Sequence, residues 1–405
     1  MKVHLLISLI LLPLLPLSAQ ERRDRAVFKE NRDAMEDSIR AVMRPGKPRV
    51  PQQEMLADFS LYAAPKSVRE FTSQWHQPPA MQGLSGMCWC FSTTSMLESE
   101  VYRQSGRKLS LSVLHTIYWE HVEKAREFVR TRGQSFYGEG SEANAVYRIW
   151  KKYGCVPAAS YTGLKEGQRF HDHSGTLFPE IKAYLAGVKA AGAWNETEVV
   201  ATVRAILDHW IGAPPEKVTV DGVEYTPKEY LARVVRLNPD DYVDLLSLLE
   251  KPWYARTEYA VPDNWWHSAD YYNIPLDEFM AAIKKAIRNG YTMEIGGDMS
   301  EPGYALGPEG IAVVPSWDIP AAAITDEARQ FRFSNGTTTD DHGLHVVGYV
   351  EKDGQDWFLI KDSWSSAYNS SHPGYYFFSE AYVRLKMMGV SLHKDAVKEV
   401  VAKFK

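Results

Sequence analysis

The sequence predicts an α+β fold, in which a helical half carrying a helical insertion is followed by a β half. Three observations carry this reading. Apolar residues recur at helical spacing in segments up to about residue 289. Short apolar runs of strand type then dominate, at Tyr291–Ile295, His345–Val350, Trp357–Ile360 and Tyr375–Phe378. No internal repeat at a solenoid period is present, and the composition is globular: 405 residues, 45% hydrophobic, 24% charged and 12% aromatic. A formal net charge of −5 argues against a nucleic-acid partner. No apolar run reaches the roughly 18 residues of a membrane span. Three cysteines do not make a disulfide framework.

In chain order, Lys2, the apolar stretch Leu5 to Leu17 and the small pair Ser18-Ala19 have the layout of a secretory signal peptide. This predicts a leader over 1–19 and an exported chain, periplasmic or secreted, in a bacterial context. Residues 20–60 read as an N-terminal helical extension, with Phe28, Met35, Ile39 and Met43 at helical spacing and a break at Pro45–Pro51. The body spans 61–405. A helix is expected from Cys88 through Tyr102, with Phe91, Met96, Leu97 and Val101 inward, and another over 143–152, ended by Gly154. Residues 165–265 read as the insertion, with helices over 176–190, 196–211, 227–237 and 240–250. Within it, Asp221-Gly222 turns a short hairpin at Val218–Tyr225. An amphipathic helix over 275–289 starts at Pro275 and puts Leu276, Phe279, Met280 and Ile283 on one face.

The chemistry concentrates at two places. In Gln82-Gly83-Leu84-Ser85-Gly86-Met87-Cys88-Trp89, a glycine-bearing loop runs into a helix that starts near Cys88. A helix N-terminus carries partial positive charge and free N–H groups, which favour a thiolate. The Gln82 amide and the Cys88 backbone N–H would together offer two donors to an oxyanion. Cysteine is also a small buried hydrophobe; the glutamine, the glycines and the helix start favour the reactive reading, while Cys90 and Cys155 read as buried thiols. A thiol nucleophile needs a distant base. His342 opens an apolar run to Gly348-Tyr349, with Gly343 leaving room beside the imidazole. His345 is its rival, on the opposite strand face and better suited to a core role. Neighbouring strand residues cannot all face one ion, so Asp340-Asp341-His342-Gly343-Leu344-His345 makes a weak metal cluster, and no metal site is assigned.

The Gln82 to Trp89 segment resembles papain-like cysteine peptidases, and Ser85, where many secreted members carry a disulfide cysteine, points to the bleomycin hydrolase and aminopeptidase C branch. Tyr161-Thr162-Gly163, Val261-Pro262-Asp263-Asn264-Trp265 and Gly296-Gly297-Asp298-Met299-Ser300-Glu301 resemble stretches of that branch. The resemblance implies a papain-like fold of two subdomains with the active-site cleft between them. It implies a cysteine peptidase, aminopeptidase-like, with Gln82, Cys88, His342 and Asp362 catalytic and no cofactor. Asp362 stands where the family has Asn; its carboxylate can accept the same imidazole N–H and favours the protonated ring. Trp364 corresponds to the tryptophan that shields this bond from water. Gly140-Ser141 correspond to the Gly-Gly wall that binds substrate backbone. Peptide substrates are the expected partners, and branch members form hexamers, which implies a homo-oligomer. The branch closes its cleft with a C-terminal arm; Lys403-Phe404-Lys405 offers no equivalent, which predicts relaxed end-specificity. A catalytically inactive, peptide-binding module of the same fold is the alternative.

Overall fold

A computed structural model describes residues 24–30 and 32–404; the leader expected over 1–19 and the terminal Lys405 lie outside the described residues. The first expected element is corrected. A strand, β1 (Ala26–Glu30), precedes helix α1 (Ala34–Met43) and pairs antiparallel with β2 (Gln53–Ala57). The helical spacing does not continue through 28–43, because Asp33 caps α1 by accepting from the Glu36 N–H. Phe28, 74% exposed, joins no buried face. The 20–60 extension is therefore mixed rather than helical.

After the short strand β3 (Thr72–Ser73) come α2 (Cys88–Ser105), α3 (Val113–Arg130) and α4 (Ala143–Tyr153). The α4 helix stops at Gly154, whose positive φ suits glycine. The α2 helix is polar yet buried nearly all round, from Trp89 to Val101, because it runs between a helical layer and a sheet. Two helices of the insertion, α5 (Leu177–Ala191) and α6 (Glu196–Ile211), lie where the spacing predicts. Next comes the hairpin of β4 (Val218–Val220) and β5 (Val223–Tyr225), turned by Asp221 and Gly222, both at positive φ. The short helix α7 (Pro227–Glu229) opens on a Thr226–Glu229 capping box and passes into a π-helical turn over Tyr230–Val235.

The helix expected over 240–250 is instead a strand, β6 (Tyr242–Leu246). A short apolar run suits either structure; here Leu245 and Leu246 are fully buried between strands of the main sheet. The helical insertion accordingly ends before β6. The rest of the chain alternates β7 (Ala255–Thr257), β8 (Tyr271–Asn273), α8 (Leu276–Arg288), β9 (Met293–Gly297), β10 (Ile311–Ala312), α9 (Asp326–Ser334), β11 (His342–Lys352), β12 (Gln355–Lys361), β13 (Tyr375–Ser379), α10 (Glu380–Lys386), β14 (Met387–His393) and α11 (Lys398–Val401).

These strands form one mixed ten-stranded sheet, ordered β10-β13-β12-β11-β9-β14-β6-β8-β7, with β3 on the edge of β11. Most pairs are antiparallel; β10 with β13 and β6 with β8 are parallel. Helix α8 lays Phe279, Met280 and Ile283 on the sheet core made by Ile295, Leu344, Val346, Phe358 and Ile360. A second core joins α2 to α4 through Met96, Leu97, Val146 and Trp150, and a third packs α3 against α5 and α6. Among the described residues no helix is long and apolar enough to cross a membrane.

Candidate active site

Four of the residues singled out in the sequence come together where the start of α2 meets the start of β11. Helix α2 begins at Cys88, and the preceding Met87 caps it with no side chain, so its first N–H groups remain open to a ligand. Strand β11 approaches this turn closely because Gly343 lacks a side chain. A Cβ there would stand 3.0 Å from the Trp89 Cα and the Ser92 Oγ, and 2.9 Å from Glu294 Oε1. That approach sets His342 beside Cys88.

His342 is bonded through Nε2 to Asp362 Oδ1 at 2.8 Å, and Cys88 is its other side-chain hydrogen-bond neighbour, which leaves Nδ1 for the sulfur. Burial works against a charge on this ring. The Asp362 carboxylate and Cys88 outweigh burial and hold the imidazole well above its ordinary pKa. Asp362, 2% exposed, also accepts from the Trp364 N–H at 2.9 Å and from the Tyr304 hydroxyl at 3.4 Å. The Trp364 ring stands edge-on to His342, centroids 6.1 Å apart.

Gln82, fully buried, is tied to the same loop. Its N–H donates to the Ser363 carbonyl at 2.9 Å, its Oε1 accepts from Ser363 Oγ at 2.6 Å, and its Nε2 donates to the Ser85 carbonyl at 2.6 Å. One of its two amide hydrogens is thus used locally.

Gly140 and Ser141 divide. Gly140 lies in the wall packed on Gly86, where a Cβ would meet Glu139 Cβ at 2.8 Å and the Gly140 N at 3.6 Å; Trp89 Nε1 donates to the Glu139 carbonyl at 3.4 Å. Ser141 is 5% exposed and turns its hydroxyl to Glu120 Oε1 at 2.8 Å, so its side chain supports the wall from behind. Lys124, a residue that sequence reasoning passed over, backs the wall by donating to the carbonyls of Gly138 and Gly140.

His345 faces elsewhere. It is fully buried, its Nδ1 meets Ser95 Oγ at 2.8 Å, and burial with nearby Lys361 keeps its pKa well below the usual value. Lys361, its cross-strand partner, donates to Ser95 Oγ at 2.7 Å. Ser95, Glu98, His345, Lys361 and Asp362 line a cavity of about 350 Å³. Burial raises Glu98 to about 7 and lowers Lys361 to about 8, each moderated by the other. Cys90 and Cys155 are fully buried, and burial pushes both thiols far up. All three cysteines are free. Among the described residues no group of three His, Cys, Asp or Glu side chains could hold a metal ion.

The chain is 21% identical over 363 residues to aminopeptidase C of Streptococcus thermophilus, covering 78% of this chain and 80% of that protein. It is 21% identical over 364 residues to aminopeptidase C of Listeria innocua, covering 80% and 82%. With aminopeptidase G of Lactobacillus delbrueckii subsp. lactis it shares 20% identity over 361 residues, covering 77% and 80%. The crystal structure of PepW from Lactobacillus rhamnosis superposes with a TM-score of 0.66 at 18% identity, over 82% of this chain and 84% of that one. No family model matches. The chain resembles the aminopeptidase C proteins of the bleomycin hydrolase family, and its mixed α/β fold resembles that of PepW.

Proposed function

We propose that this chain is a papain-like cysteine peptidase of aminopeptidase type. The observation that carries the reading is the 2.8 Å bond between His342 and Asp362, beside a cysteine at a helix start that no side chain caps. The likeness to aminopeptidases C and G supports a hydrolase of peptide bonds.

In this reading Cys88 gives its proton to His342, whose charge Asp362 stabilises. The thiolate attacks the peptide carbonyl, and the oxyanion is held by the Cys88 N–H and the free hydrogen of the Gln82 amide. The tetrahedral intermediate collapses as His342 protonates the leaving amine, which leaves a thioester on Cys88. His342 then takes a proton from water, the hydroxide attacks the thioester, and the acid product leaves with the thiolate restored. The Gly140 backbone aligns the substrate, and Trp364 keeps water from the His342–Asp362 bond. Export through the 1–19 leader is part of the proposal.

The test is turnover of an alanyl fluorogenic amide by the full chain and by its Cys88→Ala variant. Turnover by the first and loss of at least about a thousandfold in the second is expected. Equal rates, or none in either, would refute the proposal.

A further inference from the structure

The end of the candidate cleft is acidic in a way that the reaction above does not use. Glu142 lies two residues beyond Gly140 in the wall, and Asp340 two residues before His342. A Cβ on Gly296 would stand 3.6 Å from Asp340 Oδ1 and 4.0 Å from Glu294 Oε1, and a Cβ on Gly140 would collide with the Asp263 carboxylate. Carboxyl groups from both walls and from the 259–268 loop therefore converge beside Cys88 and His342. Two residues of extended chain span about 7 Å, so the cluster lies within a residue or two of where a scissile carbonyl would sit.

Cations are fewer than carboxyl groups here: Lys124 acts on Asp263 and His342 on Glu294. The leading charged neighbours of Glu142 are Asp340, Asp263 and Glu294, all of the same sign. Lys124, the basic group that acts on Asp263, also donates to the Gly138 and Gly140 carbonyls. Its hydrogen-bond donors are few: the carboxyl proton that Glu142 shares with Asp340, and the hydroxyls of Tyr259 and Tyr271. Glu142 Oε1 and Asn144 Oδ1 are buried without a partner. Tyr259 and Tyr271, 2% and 3% exposed, turn their hydroxyls toward Asp340 and Asn144 and complete no hydrogen bond of normal geometry. Buried polar atoms are ordinarily satisfied. A ligand that meets all of this is cationic and rich in N–H donors, and an ammonium has three.

Resting on the peptidase reading of Cys88 and His342, we infer that Glu142, Asp340 and Asp263 form the anchor for the α-ammonium group of a peptide substrate, one or two residues ahead of the bond cut. An α-amino group is largely protonated at neutral pH. While the anchor is empty, burial and mutual repulsion keep protons on it: Glu142 is held well above the usual carboxyl range and Asp340 at about 7. Binding an ammonium releases a proton and satisfies the open acceptors. Amino-end selection is thereby built from side-chain carboxylates in the cleft walls, in place of the relaxed end-specificity that the sequence suggests.

The test separates binding from turnover. Full-length Cys88→Ala protein is titrated calorimetrically at pH 7 with alanyl-alaninamide, with its N-acetylated twin, and with acetyl-lysyl-alaninamide, which offers an ammonium on a side chain. The free-amine ligand should bind at least tenfold more tightly than either blocked one. Adding Glu142→Gln or Asp340→Asn should bring that ratio towards one without weakening the acetylated twin. Both substitutions conserve shape; if a thermal melt shows that one fails to fold, Asp263→Asn takes its place. Equal affinity for free and acetylated ligands, or a preference that survives the substitutions, overturns the inference. So does acetyl-lysyl-alaninamide binding as tightly as the free amine, which would assign the acids to a basic side chain. Because no step needs Cys88, failure of the peptidase reading would be seen separately, as absence of turnover by the unsubstituted chain.

Discussion

Replacing Asp362 by Asn keeps the shape of the site and removes its charge. The Asn oxygen can still accept from His342 Nε2 and from the Trp364 N–H, and its amide can donate to the Tyr304 hydroxyl oxygen in place of the present bond. What disappears is a carboxylate 2.8 Å from a ring that is 8% exposed. An opposite charge at such a distance moves a pKa by about 1 to 3 pH units, or ~1.4–4 kcal/mol. In the present chain that charge overcomes burial and holds His342 above its ordinary pKa; in the variant, burial acts without it. The pair is active while His342 holds its proton, so the alkaline limb of kcat/KM should fall by about 1 to 3 pH units, as a property of the coupled pair. At the optimum, kcat/KM should drop by less than about tenfold, because orientation of the ring is preserved. The assay is the pH profile of alanyl amide hydrolysis for both proteins. The same sign appears in stability. A raised folded-state imidazole pKa stabilises fully below the unfolded value of about 6.5, and the contribution is lost as pH rises through the folded value. The variant should lose that alkaline dependence. An alkaline limb displaced by less than ~0.3 pH unit, against the range expected for such a charge pair, would mean that Asp362 does not set the charge of His342, and the electrostatic account of the pair would fall.

Other substitutions probe other contacts. His345→Ala removes a fully buried ring bonded to Ser95 and should cost about 2–3 kcal/mol in urea unfolding, with turnover per folded molecule within a few-fold of the parent; selective loss of turnover would make His345 the base. Gly343→Ala forces a Cβ to 3.0 Å from the Trp89 Cα. It should cost about 1–3 kcal/mol of stability and, by shifting His342 from Cys88, roughly 10- to 100-fold in kcat; wild-type kinetics would show that the close approach does not position the pair. Gln82→Ala should lower kcat by about 10²-fold through loss of an oxyanion donor, with KM little changed. An effect confined to KM would put the amide on the substrate ground state instead.

Local patterns made some of this legible. The glycine-bearing loop before Cys88, the apolar run after His342 and the strand just before Asp362 each carry their signal within a few residues, and each became the expected element. The hairpin at Asp221-Gly222 was equally local, since both residues adopt the positive φ that the turn requires. Helix α3 is not among the expected elements, although Leu114, Ile117, Tyr118, Val122, Ala125 and Val129 obey helical spacing and Ser112 caps it. Strand β6 was not recoverable from Tyr242–Leu246 alone, because pairing with β14 and β8 is what makes it a strand. The same holds for β1, which depends on β2. The acidic cluster has no sequence signature: Glu142, Asp263, Glu294 and Asp340 come from four separate segments and meet only in the fold. One hint was available, since Glu294 is a lone acid inside the apolar strand Met293–Gly297.

The central claim is that Cys88 is the nucleophile and is paired with His342, and the most direct measurement is the site and rate of its alkylation at pH 6. The full chain is treated at pH 6 with one equivalent of iodoacetamide, digested, and read by mass spectrometry beside residual hydrolysis of the alanyl amide. The account predicts one label per chain, on Cys88, with activity lost in proportion and little on Cys90 or Cys155, whose buried thiols resist ionisation. His342→Ala should slow that labelling by at least tenfold at the same pH. Labelling at Cys88 no faster than that of an ordinary thiol, or full hydrolysis after Cys88 is blocked, would contradict it.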